Sequence, residues 1–243
     1  MRAGCAVNNG QFLKERVMKN SLIICALIGL LFSPTIAVAA WTGNLLVNPG
    51  AETGTLDGWI TDAPAVVIAC QSQNETLGVV YPHSGDWFFT MCGAAAGPSG
   101  ITVSHILYQD VDLSSYASDT DAGLLLVKAS MYLQTEDVPS FTGADYGQLT
   151  VYFLDEVGGE IDSLSTGLVQ SPNLTWIEET LDGTAPVGTR SIRFELLGEK
   201  YETKFINAFF DDANFQVMVV PEPATLCLLM AGAAIALRSR RRM

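Results

Sequence analysis

Positive charge is scarce in the middle of this chain. Of its 13 Lys and Arg residues, four precede residue 20 and four follow residue 237, so the stretch from Ala40 to Val220 keeps only Lys128, Arg190, Arg193, Lys200 and Lys204. The same stretch holds 24 of the 26 Asp and Glu residues, a formal charge of −19. Affinity for phosphate backbones comes mainly from Lys and Arg, so this balance argues against nucleic acid as a partner. It predicts a solvated acidic surface and makes divalent cations plausible ligands. Histidine is nearly absent, with only His83 and His105. No Ser-containing nucleophile elbow, His-Glu zinc helix or phosphate-cradling glycine loop is present. Glu136-Asp137 and Glu178-Glu179 are neighbours in sequence and point to opposite faces of a strand, whereas acid–base work needs carboxylates converging from separate segments. These absences predict a non-catalytic protein. No internal repeat is visible.

Long apolar runs are also missing, and the two short ones sit at the ends. Met18-Lys19-Asn20, the apolar run Leu22 to Phe32 and the small-residue pattern Ala37-Val38-Ala39 read as a secretory signal peptide cleaved after Ala39. Residues 1–17 have no evident role, which favours Met18 as the true start, with a long charged leader as the alternative. At the other end, Val220-Pro221-Glu222-Pro223 precedes an apolar run from Ala224 to Leu237 and then Arg238-Ser239-Arg240-Arg241-Arg242. Fourteen helical residues span about 21 Å, short of the roughly 30 Å hydrocarbon core. The arginines stay cytoplasmic by the positive-inside rule and leave the rest of the chain outside the inner membrane. The chain therefore divides into a leader (1–39), an exported domain (40–219) and a tail (220–243).

Cysteine is equally sparse once the ends are removed. Cys5 and Cys25 lie in the leader and Cys227 in the tail, which leaves Cys70 and Cys92. Two thiols in an oxidising compartment are expected to pair, and a bridge over a loop of about 20 residues would add on the order of 3 kcal/mol. Two unrelated buried thiols are the alternative.

The exported domain is rich in Val, Ile, Phe, Tyr and Thr, in short runs separated by Gly, Pro and Asp turns, which predicts an all-β class. Gln148 to Leu154 alternates, and 155–160 turns the chain toward Ile161. Arg190 to Leu196 places Ile192, Phe194 and Leu196 on one face and both arginines with Glu195 on the other, as in a half-buried antiparallel strand. Leu124 to Leu133 reads as a central strand. On the last strand Asp211 shares the parity of Ala213, Phe215 and Val217, which points its carboxylate inward, where a bare charge is costly.

The tail resembles the PEP-CTERM sorting domain, in which a Val-Pro-Glu-Pro box, a short hydrophobic helix and an Arg cluster follow one another. The resemblance implies an exported protein of a Gram-negative bacterium that passes the secretion translocon and is held briefly in the inner membrane by its helix. An exosortase-type membrane protease then recognises Pro221, Glu222 and Pro223 while Arg240, Arg241 and Arg242 retain the helix, and the product goes to the cell surface or extracellular matrix.

Three segments of the domain carry a second resemblance: Asn44-Leu45-Leu46-Val47-Asn48-Pro49-Gly50-Ala51-Glu52 leading to Gly58-Trp59, His83-Ser84-Gly85-Asp86-Trp87, and Phe210-Asp211-Asp212-Ala213-Asn214-Phe215. In this order they resemble the galactose-binding-like jelly rolls, the superfamily of many carbohydrate-binding modules and F-box-associated sugar-binding domains. Trp176, ahead of Pro186-Val187-Gly188-Thr189, fits the same pattern. The resemblance implies an antiparallel jelly-roll β-sandwich, Trp59 and Trp176 in packing positions, and a structural calcium on Glu52 and Asp211; a metal-free Asp211 bonded to backbone amides is the alternative. No organic cofactor is implied. Sugar sites in this superfamily lie on a sheet face or in edge loops. Tyr108, Tyr132, Tyr146 and Tyr152 are candidates to touch a ligand, and the sequence does not separate them. The function expected is exopolysaccharide binding, with a structural matrix protein making only protein contacts as the alternative and a glycan-active enzyme third.

Overall fold

The computed structural model describes residues 39–64, 67–75, 77–92, 101–136, 145–171, 174–200, 204–221 and 232. Met18, Ala37, Glu222, Pro223, the apolar run 224–237 and Arg240 to Arg242 lie outside them. Among the described residues no helix is long and apolar enough to cross a membrane.

Among the described residues twelve strands run in the order β1 (Ile60–Thr61), β2 (Ile68–Cys70), β3 (Gln73–Asn74), β4 (Val79–Val80), β5 (Phe88–Thr90), β6 (Val103–Asp112), β7 (Leu125–Thr135), β8 (Tyr146–Leu154), β9 (Glu160–Ser165), β10 (Ile177–Thr184), β11 (Ser191–Lys200) and β12 (Ala208–Val219). A 3₁₀ turn at Ser114–Tyr116 and the short helix α1 (Ala117–Asp121) interrupt them between β6 and β7. All pairings are antiparallel: a first sheet in the order β1-β6-β11-β8-β9, a second in the order β10-β7-β12-β5-β2, and a ribbon of β3 and β4. This is the all-β class that the alternating runs predict, in the antiparallel jelly-roll sandwich that the resemblance implies.

Alternation builds the core directly. Leu107 and Val111 on β6, Leu149, Val151 and Phe153 on β8, and Ile192, Phe194 and Leu196 on β11 face Leu125, Val127, Ala129, Met131 and Leu133 on β7 and Phe210, Phe215 and Val217 on β12. Trp59 joins the two layers. Its ring meets Phe89 of the second sheet edge-on at 5.2 Å and Phe194 of the first at 6.0 Å, and its indole N–H donates to the Asn48 carbonyl at 3.0 Å. Trp176 lies instead in a small outer cluster with Val80, Phe88, Cys92 and Phe209.

The predicted strands form close to their expected bounds, and β7 lies inside its sheet, between β10 and β12. Arg190 departs from its expected place. At period two it has the parity of Ile192 and not of Arg193, and it precedes β11 and pairs with Asp121 at 2.9 Å, so of the two arginines Arg193 alone shares the outer face with Glu195. Asp211 departs as well. A bulge between Asp211 and Asn214, with Asp212 at φ 47°, reverses the alternation of β12, so Asp211 stands opposite Tyr132 on the outer face and Ala213 turns inward. Asp211 is nevertheless only 1% exposed, because the turn 83–87 covers it.

The expected Cys70–Cys92 bridge does not form, and both side chains are free thiols. Cys70 pairs with Phe88, which puts Cys92 four residues farther along the same face. Cys92 lies two residues beyond the end of β5, where Gln73 Nε2 rather than Cys70 reaches its Sγ, at 3.8 Å. The Cys92 thiol instead donates to Asn207 Oδ1 at 3.3 Å. Burial pushes the Cys70 thiol up to about 11 and raises that of Cys92 further.

Candidate functional site

Two polar constellations stand out, one on each sheet. The first explains why the three recurring segments occur together. Asn44 ties the opening of the chain to the last strand: its Oδ1 accepts from Leu46 N and Phe215 N, and its Nδ2 donates to Ala213 O. Asn48, at φ 50°, closes the next turn through Thr53 N and the Thr55 carbonyl. The chain then reaches Glu52, whose carboxylate accepts from the backbone N–H groups of Asp86 (3.0 Å to Oε2) and Trp87 (3.2 Å to Oε1). From the other end, Asp211 Oδ2 accepts from His83 N at 2.8 Å and Ser84 N at 3.2 Å, while its Oδ1 accepts from Asp212 N at 2.7 Å. Asp212 takes the side chains of the same turn, with His83 Nδ1 2.7 Å from its Oδ2 and Ser84 Oγ donating to Oδ1 at 2.7 Å. The His83 ring stacks on Tyr132 at 3.6 Å.

Gly85 stands at φ 62°, and a Cβ there would run into the Glu52 carboxylate, which is why the turn carries glycine. Burial dominates the titration of Asp211 and pushes its carboxyl up to about 7; the amides pull against that and the neighbouring Asp212 charge adds to it.

A cation fits this place in part. A Cβ on Gly50 would meet Asp211 Oδ1 at 3.2 Å and Asp212 Oδ1 at 3.5 Å, whereas the Glu52 atom nearest it is the Cγ methylene at 3.7 Å, so two aspartate oxygens border a spot kept open by glycine while the Glu52 carboxylate is turned to the amides of Asp86 and Trp87. Among the described residues no group of three or more His, Cys, Asp or Glu side chains is arranged to hold a metal, so backbone carbonyls would have to complete any calcium shell on Glu52 and Asp211.

The second constellation lies on the outer face of the first sheet. Core residues occupy the inward parity of β6, β8 and β11, which sends Tyr108 and Asp110, Tyr146, Gln148, Thr150 and Tyr152, and Arg193, Glu195 and Glu199 outward. The register sets Glu195 between Tyr108 and Thr150, and Arg193 between Asp110 and Tyr152. The Arg193 guanidinium lies 3.9 Å from the Tyr108 ring centre and is fixed there by Asp110 through Nε (2.8 Å) and Nη2 (3.0 Å). Tyr152 donates its hydroxyl to Glu195 Oε1 at 3.3 Å. Gln148 donates to Thr150 Oγ1 at 3.0 Å and Ser165 Oγ at 2.6 Å. Burial raises the Glu195 carboxyl above its ordinary value; the Tyr152 bond and Arg193 oppose this, and Asp62 reinforces it. At the end of the same face, Asp112, Ser114, Ala117, Asp155, Glu156, Arg190 and Ser191 line an open cavity of about 410 Å³.

Of the four candidate tyrosines, the fold thus gathers Tyr108, Tyr146 and Tyr152 on one face and assigns Tyr132 to the opposite sheet beneath His83. The sequence reading missed Gln148 and passed over Arg193 and Glu195 as a solvent face. The spacing of Tyr146, Gln148, Thr150 and Tyr152, one parity of one strand, was the available signal. Aromatic rings, a guanidinium plane and a fixed carboxylate on a sheet suit a ligand with both ring faces and hydroxyls.

Residues 219–242 match the PEP-CTERM protein-sorting motif. That motif marks a secreted protein of a Gram-negative cell, held by a C-terminal anchor before processing by exosortase, a membrane protease. No curated protein matches the sequence closely enough to count as a relative. Among solved structures, the chain is similar to the CBM22-1 xylan-binding domain of Paenibacillus barcinonensis Xyn10C (16% identity, TM-score 0.42, covering 76% of this chain and 99% of that one). It is also similar to a family 16 carbohydrate-binding module (18%, TM-score 0.41, 71% and 99%). Similarity extends to the enzymatically active domain of bacteriophage CBA120 tailspike protein 4 (10%, TM-score 0.47), where it covers 71% of this chain but only 21% of that one.

Proposed function

We propose that this exported protein holds a polysaccharide of the cell surface or extracellular matrix on the outer face of its first sheet, without cleaving it. The observation that supports this most is the placing of Tyr108 and Tyr152 beside Arg193 and Glu195, with Gln148 and then Tyr146 farther along the same face of β8, the polar groups being already fixed by Asp110, Tyr152 and Thr150. Rings pack against the apolar faces of sugars, and pre-set donors and acceptors meet hydroxyls at little entropic cost. The sorting motif gives the protein a route to where such polymers lie. Calcium on Glu52 and Asp211 belongs to the same proposal as a brace for the turn 83–87. It would supply positive charge to the buried Asp211 carboxylate and the exposed Glu52 one and takes no part in ligand contact.

A matrix protein that contacts only other proteins is the second reading. It draws on the exposed apolar side chains of Leu77, Val79 and Tyr81 at the β3–β4 ribbon. A glycan array with the exported protein separates the two. Binding that falls about tenfold or more in Tyr152→Ala, with the fold intact, supports the sugar face. No binding to any glycan sinks it, and hydrolysis of a bound glycan would sink the non-catalytic part.

A further inference from the structure

The charge of the face restricts which glycan it can take, a question that rests on the sugar-binding reading above. Its acidic groups include Asp62, Asp110, Asp112, Glu160, Glu195 and Glu199. Arg193 is the basic side chain set among them, and both its Nε and Nη2 are committed to Asp110. Lys200, at the end of β11, is buried with inward parity and donates to the Ile101 carbonyl at 3.1 Å. Lys128 lies on the second sheet. Glu195 occupies the middle of the central strand, is 9% exposed, and has Tyr108 and Thr150 as its cross-strand neighbours. Asp62, held by Ile106 N at 3.0 Å, adds repulsion toward that carboxylate. Burial first, then the Glu195 and Glu160 charges, raise the Tyr152 phenol, which keeps its hydroxyl a donor to Glu195. A polymer bearing carboxylates would meet like charge at its anchoring point as well as across a domain of strongly negative net charge. Like charge at close range costs more than rim contacts recover.

We infer that the face selects an amine-bearing glycan, a polymer with free hexosamine amino groups, and rejects uronate-bearing ones, the ammonium seating against Glu195 between Tyr108 and Tyr152. A hydroxyl could donate to the same carboxylate, but a charged donor makes a bond roughly twice as strong as a neutral one, and in this place it also relieves a carboxylate that burial and Asp62 disfavour. The rings accommodate either sugar, so the amine decides between polymers of the same backbone.

The test is calorimetric titration of the exported protein with three soluble oligomers of equal length: de-N-acetylated glucosamine, N-acetylglucosamine and galacturonate. The expected result is binding about five- to tenfold tighter for the free amine than for the acetylated chain and none for the uronate. Glu195→Gln removes the preference while keeping the acetylated chain bound, which also shows that the variant folds. Glu178→Gln, at an exposed position on the outer face of the second sheet, leaves the preference intact. Equal losses in both variants mean diffuse charge attraction and overturn the inference, as does equal or better binding of the acetylated or uronate chain. If other glycans bind on an array while the amine oligomer does not, the inference fails and the sugar-binding reading stands. If no glycan binds, both fail.

Discussion

Asp211 makes the stability of this domain fall as pH rises through neutrality. Its carboxyl is 1% exposed, and burial lifts it from 3.8 to about 7. Between those values the native state holds a proton that the unfolded chain has released, so the unfolded state binds fewer protons and stability declines with increasing pH. The contribution is fully present below about pH 4 and is lost by the time the pH has passed 7. Each unit of separation is worth about 1.4 kcal/mol, so the whole window amounts to something on the order of 4 kcal/mol. Glu75 shifts in the same direction, also to about 7, through burial and the neighbouring Glu136 charge, so the wild-type slope contains both groups. Asp211→Asn isolates the first. Urea unfolding of residues 40–220 at half-unit steps from pH 4.5 to 7.5, with chelator present, should show the variant losing up to about 1.4 kcal/mol per pH unit of the wild-type slope. The variant itself is less stable at every pH, because an amide NH₂ would face the His83 and Ser84 N–H groups. Parallel pH profiles, or wild-type stability that rises over this range, would refute the burial of an acid at this position.

The other expectations are more local. Gly85→Ala forces a side chain against Glu52 at positive φ and should lower stability by about 2 kcal/mol or more in urea melts; a change under 0.5 kcal/mol would mean that Glu52 does not hold the turn. Calcium should raise the thermal midpoint of residues 40–220, by an amount corresponding to about 2.7 kcal/mol at a hundredfold excess over its Kd, more at pH 8 than at pH 6 because Asp211 must ionise; the same midpoint with and without chelator would leave a metal-free acid. Cys70 and Cys92 should both be recovered as free thiols and alkylate quickly only after unfolding, an outcome that a bridged peptide in non-reducing mass spectrometry would contradict. Changing Pro221, Glu222 and Pro223 to Ala should leave uncut precursor in the membrane fraction; peptides spanning Glu222 to Arg238 in the bulk of the extracellular protein would show that the box is not where processing occurs.

The strands were legible because each buries one face, and alternation over six or more residues leaves little choice of register. Gln148 to Leu154 and Ser191 to Leu196 show this plainly. Parity failed at Asp211, where a single bulge residue turns the whole upstream part of β12 over, and nothing in Phe210-Asp211-Asp212-Ala213 announces it. The cysteines failed for a related reason: compartment and count suggest a pair, but the β2–β5 register decides whether two side chains can meet. The turn motif was recognisable as a pattern, yet its cause, amides capped from both sides by Glu52 and Asp211, needed residues more than a hundred positions apart. The outer face of the first sheet was half legible. Each of β6, β8 and β11 could be assigned an outward parity, but which strands are neighbours, and hence that Tyr108, Glu195 and Tyr152 adjoin, depends on a crossover topology that local periodicity does not encode.

Strand order has a consequence for the way the protein is made. β11 lies between β6 and β8, and β12 between β7 and β5, so each sheet receives one of its inner strands from the last stretch of the domain, residues 191–219. Before those residues are available, the first sheet lacks the strand that joins β6 to β8, and the second is two separate pairs, β10 with β7 and β5 with β2. Most of the stabilising contacts therefore span large sequence separations and must wait for the end of the domain. Neither sheet can be completed until residues 191–219 are available, and Val219, the last residue of β12, is also the first residue of the sorting motif.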